Sequence, residues 1–67
     1  MTEEAEDVFL LCYQPHPDFE PFYLTSHGGM RRDPREGKRF SHPNVAEAYR
    51  REHGYVNLKV VVISLPA

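Results

Sequence analysis

Asp7–Tyr13 reads DVFLLCY, a continuous apolar run of strand length, rich in β-forming side chains. Successive side chains of a strand point to opposite faces. Val8, Leu10 and Cys12 therefore form one row, and Phe9, Leu11 and Tyr13 the other. A strand with one wet face alternates apolar and polar residues; this one does not, which predicts a central strand covered on both sides.

Outward from this strand the chain is punctuated by breakers. Met1–Glu6 reads as a frayed acidic leader. Gln14–Pro21 (QPHPDFEP) carries three prolines and predicts an extended loop or turn. Phe22–Thr25 (FYLT) is a second short strand. Ser26–Lys38 (SHGGMRRDPREGK) has three glycines, one proline and no apolar residue but Met30. It predicts a long Arg/Gly-rich loop, or a hairpin extension with an irregular tip.

A helix follows. Ser41 suits its N-cap, Pro43 its first turn and Gly54 its stop. Val45, Ala48, Tyr49 and the stem of Glu52 would form the buried face, with Glu47, Arg50 and Arg51 on the wet one. Phe40, just before the cap, could staple onto the first turn. Leu58–Leu65 (LKVVVISL) is a β-branched strand ended by Pro66.

The fold class expected is α+β: a small, mainly antiparallel three-stranded sheet of order 2-1-3, connectivity ββαβ, with one helix on one face. A right-handed crossover through the helix would set the second and third strands parallel, with the first between them. The last strand is also apolar on both sides. Leu58, Val60 and Val62 alternate against Val61, Ile63 and Leu65, with Lys59 in the second row. One short helix covers only one face. The other would be closed by loops carrying Phe19, Phe22 and Met30, or by a partner. The row expected to lie open is Phe9, Leu11, Tyr13, Lys59, Val61 and Ile63.

Sixty-seven residues make a single domain, 1–67, near the lower size for folding without staples. Hydrophobic residues at 40% and charged residues at 27% are globular proportions, not those of a disordered chain. The lone Cys12 excludes an internal disulfide and leaves any Cys-rich zinc site without ligands. No apolar run has the length of a membrane span and no signal pattern opens the chain, so the expectation is a cytoplasmic protein without membrane contact. Net charge is −2, but six acids and no Lys or Arg fall in the first twenty residues. Five bases (Arg31, Arg32, Arg35, Lys38 and Arg39) cluster just after Met30, making a dipolar surface that would steer a charged partner.

No catalytic, metal or cofactor site is expected. Cys12 sits in an apolar run with no adjacent cation to stabilise a thiolate. His16, His27, His42 and His53 lack the short spacings that place two imidazoles on one metal. Ser26 and His27 are sequence neighbours, which rarely face each other as nucleophile and base. Gly28-Gly29-Met30-Arg31-Arg32 lacks the Gly-Lys-Ser/Thr ending of a P-loop. What remains is a small non-enzymatic module that binds and modulates a larger protein or assembly. A phage-type inhibitor of a host enzyme or defence complex is one form of it. Its contacts would come from the five bases and from Phe9, Leu11, Tyr13, Val61 and Ile63. The alternatives are a nucleic-acid accessory protein holding phosphates with the Arg-rich loop, and a structural homodimer joined sheet to sheet.

Overall fold

The computed structural model describes residues 5–66; Met1–Glu4 of the expected leader lie outside them. The elements in order are β1 (Ala5–Tyr13), β2 (Phe22–Leu24), β3 (Met30–Arg31), a 3₁₀ turn (Pro34–Glu36), α1 (Pro43–Glu52) and β4 (Lys59–Pro66). They form a small α+β fold with one helix and an antiparallel sheet. The sheet has four strands, not three, in the order β3-β2-β1-β4.

The extra strand comes from the Arg/Gly-rich segment. Gly28 adopts φ 86°, which a side chain would resist, and the chain reverses there. Thr25 N–H donates to Gly29 O (2.8 Å) and Gly28 N–H to Thr25 O (3.2 Å), setting Arg31 opposite Tyr23 and Met30 opposite Leu24. Two residues are too few for an alternating pattern to reveal. At the other end, β1 starts at Ala5 rather than Asp7, because Ala5 and Glu6 continue the ladder opposite Pro66 and Leu65.

The helix is offset from its expected cap and rotated from its expected face. Pro43 occupies the first helical position, and a proline restricts the residue before it to extended backbone. His42, at φ −137° and ψ 145°, is therefore the cap residue, and Ser41 is not. The residue buried against the sheet is Ala46, with Tyr49 and Arg50 half-buried; Val45 is 51% exposed and Ala48 is exposed. A methyl at the closest approach lets the helix backbone lie near the sheet, so the smallest side chain takes the inward position. Gly54, at φ 68°, turns the chain out of the helix.

Both sheet faces are buried within the single chain. On the helix side Leu11, Leu24, Phe40 and Ala46 form the core, with Phe9, Met30, Tyr49, Tyr55, Leu58 and Val60 packed against it. On the other side lie Val8, Leu10, Cys12, Tyr23 and Leu65, flanked by Val61 and Ile63. The cover of this second face is not the expected Phe19, which is 61% exposed, nor Phe22, which stands opposite Tyr13 on the helix side, nor Met30, which packs on the helix side. It is the 3₁₀ turn and the residue after it: a Cβ on Gly37 would stand 3.3 Å from both δ-methyls of Leu10. Arg39 adds to it by reaching across to donate from Nη1 to Pro66 O (3.4 Å).

Candidate functional site

The register of β1 against β4 decides which groups the sheet presents outward. Cα partners are Val8–Ile63, Phe9–Val62, Leu10–Val61, Leu11–Val60 and Cys12–Lys59. Phe9 donates its N–H to Phe40 O (3.0 Å) and accepts from Phe40 N–H (2.9 Å), on the side of β1 away from β4. Phe9 and Val62 are thus a pair without mutual hydrogen bonds. Backbone polar groups alternate between the two edges of a strand. The N–H and carbonyl of Val61, Ile63 and Leu65 therefore face β1, and those of Val60, Val62 and Ser64 face outward. β4 is the last strand of the sheet, and no described residue pairs with that outer edge. At its middle Val62 is 59% exposed.

An edge of this kind is a template for another strand. The common protections are scarce here. β4 is long, its one charged residue, Lys59, is at its start, and its proline comes only at position 66. Pro66 sits at an outward-facing position, where its missing N–H leaves the ladder to β1 intact.

Comparison with protein-family models, with curated proteins and with solved structures found no match.

The register corrects the expected open row. Phe9, Leu11 and Tyr13 lie on the helix side, whereas Lys59, Val61 and Ile63 share the opposite face with Cys12, Leu10 and Val8. Two strands in direct antiparallel register put facing residues on one side, and the sequence of either strand alone does not fix which residues face. Leu11 is fully buried and cannot meet a partner; Phe9, Val61 and Ile63 are half-buried, and Tyr13 is at the rim. The residues missed were Val60, Val62 and Ser64. Their signal was the unbroken β-branched run of the last strand.

The five bases do not assemble into one patch. Arg31 stands on β3 opposite Tyr23, at the far edge of the sheet. Arg32 pairs with Glu20 (3.0 Å) and lies over the Phe22 ring, 5.5 Å from its centroid. Arg35 pairs with Asp33 (2.9 Å), the cap of the 3₁₀ turn. The Lys38 ammonium sits over the rings of Phe40 (5.5 Å) and Tyr49 (5.4 Å) on the helix side, while Arg39 crosses the opposite face. Alternation along the extended segment Lys38–Phe40 separates the last two.

Cys12 is buried, and burial pushes its thiol above the usual range, with the Lys59 ammonium opposing this more weakly. That is the reverse of an activated nucleophile. Among the described residues no three His, Cys, Asp or Glu side chains converge as metal ligands. His53 stacks on Tyr49 with centroids 4.0 Å apart, and His16 accepts from Asp18 N–H (3.2 Å). An open cleft of about 410 Å³ lies between the β2–β3 turn and the loop after α1, lined by Tyr13, Leu24, Met30, Tyr55, Val56 and Leu58. Its only ionisable side chains are the two tyrosines. No described helix is long and apolar enough to cross a membrane.

Proposed function

We propose that this chain is a small non-enzymatic protein-binding module that modulates a larger protein or assembly by accepting a strand along the outer edge of β4. The observation that carries the proposal is the outward set of backbone groups on Val60, Val62 and Ser64, with the Val62 side chain exposed beside them. Main-chain hydrogen bonds supply affinity in such contacts, and side chains at alternate positions supply selectivity. Lys59 at one end and the acidic Glu6 and Asp7, opposite Leu65 and Ser64 at the other, give the edge a polarity that selects strand direction. The nucleic-acid alternative gains no support from five bases spread over both faces and partly engaged in ion pairs.

The test uses chemical synthesis, which suits a chain of this length. N-methylation of the Val62 nitrogen removes one outward donor and adds a methyl to the edge, leaving every bond to β1 in place. Capture from a lysate of the source cells should recover a partner with the unmodified chain and lose it with N-methyl-Val62. Equal recovery by both would contradict docking at this edge.

A further inference from the structure

Resting on that proposal, we infer that in the free chain the same β4 edge pairs with β4 of a second copy, antiparallel about a two-fold axis at Val62, and that a larger partner displaces that copy. The limits of the edge select this register. Leu58 N–H is already engaged with Tyr55 O (3.3 Å), and Pro66 has no N–H. The outward N–H donors of the edge are therefore bounded to Val60, Val62 and Ser64, a set symmetric about its middle member. Antiparallel pairing on that centre sets Val62 against Val62 of the copy and Val60 against Ser64 twice over. All three are hydrogen-bonded pairs, each exchanging two bonds. The exposed Val62 side chain meets its own equivalent on the helix side, where its 59% exposure leaves room for one.

Charge complementarity falls in the same register. Lys59 comes opposite Leu65 of the copy, and on the next strand beyond Leu65 stands Glu6. Directly paired residues share a face, so Lys59 of one chain and Glu6 of the other lie on the same side, two strand spacings or about 10 Å apart between Cα atoms. Two long side chains span that distance. Within one chain the two residues sit at opposite ends of the β1–β4 ladder, about 20 Å apart, and cannot meet. The product is a continuous sheet with the order β3-β2-β1-β4 run through the axis into its mirror sequence, and with both helices on one side.

Sedimentation velocity of the full chain from about 1 µM to about 1 mM tests this. The expected result is a concentration-dependent dimer. Lys59→Glu and Glu6→Lys, each folded by far-UV circular dichroism, should weaken it about tenfold or more. Their combination should restore it to within about threefold of the unmodified chain. A monomer at every concentration overturns the self-pairing, as does a dimer that the double exchange does not rescue. N-methyl-Val62 separates this failure from that of edge docking. A monomer whose captured partner is lost on N-methylation keeps the edge and loses the second copy. A dimer indifferent to N-methylation overturns the self-pairing, and equal capture of a partner by the N-methylated chain overturns edge docking as well.

Discussion

Gly37 lies against Leu10 so closely that a Cβ on the glycine would stand 3.3 Å from both leucine δ-methyls and 3.2 Å from Pro34 O. This contact closes the sheet face that the helix does not reach. Leu10 is completely buried beneath it, in the central strand. Gly37→Val should therefore destabilise by about 1–3 kcal/mol through overpacking. Leu10→Ala should cost about 2–5 kcal/mol through the cavity left behind. Urea titrations monitored by circular dichroism read both. A neutral Gly37→Val would mean that the segment after the 3₁₀ turn is not seated on the sheet.

The helix offers an internal comparison. Val45 is apolar yet exposed, whereas Arg50 is charged yet only 21% exposed, bonded to both Glu47 oxygens and, from Nη1, to Tyr55 O (3.3 Å). Val45→Ala should change stability by no more than about 0.5 kcal/mol. Arg50→Ala should lower the melting temperature by clearly more, and it should loosen the loop after the helix that Tyr55 anchors. The reverse ranking would restore the face that hydropathy alone suggests.

The reason for that mismatch shows how far the sequence could be read. The α+β class, the central position of Asp7–Tyr13, the helix after Phe40 and its end at Gly54 follow from apolar runs and breakers. The rotation of the helix does not, because Ala46 and Ala48 are the same side chain, and only the distance to the sheet distinguishes them. The pairing of Phe9 with Val62 is equally hidden, since register arises between strands. Two-residue β3 depends on the turn at Gly28 rather than on any pattern of its own. The edge of β4 is legible as a β-branched run, but such a run does not distinguish a buried face from an open edge. Its true property, outward backbone groups, appears only once Phe9 is seen bonded to Phe40.

Acid should weaken the fold through the helix ion pair. The hydrogen bonds from Arg50, and then the charges of Arg50 and Arg51, hold the Glu47 carboxyl below its ordinary value of 4.5. Arg35 does the same for Asp33, below 3.8. A depressed folded value means that the unfolded chain takes up the proton first. Their contribution is thus complete above the ordinary carboxylate range and is lost as pH falls through the depressed values. Melting temperature should decline between about pH 5 and about pH 2, and less steeply in Glu47→Gln, whose neutral amide cannot titrate. An identical decline in the variant would show that this pair does not form in solution.

Removing the charge of the loop tests what it does. Arg31, Arg32 and Arg35 are exposed and pack into neither core cluster, so their joint replacement by Ala should lower the melting temperature only slightly, through loss of the exposed Arg32–Glu20 and Arg35–Asp33 pairs. Capture of a partner by the β4 edge should persist as well. Loss of capture in a folded triple variant would draw these arginines into the interface.

Amide hydrogen exchange along β4, followed by NMR in dilute solution, addresses the central claim most directly. An outward edge open to a partner predicts protection with a period of two. Val61, Ile63 and Leu65 should be slow through their bonds to β1, while Val60, Val62 and Ser64 exchange near the rate of an unfolded chain. The second set should then become protected when the edge is occupied. Uniform protection of all six amides in the dilute monomer would mean that the chain already covers this edge itself, and that β4 is not a docking site.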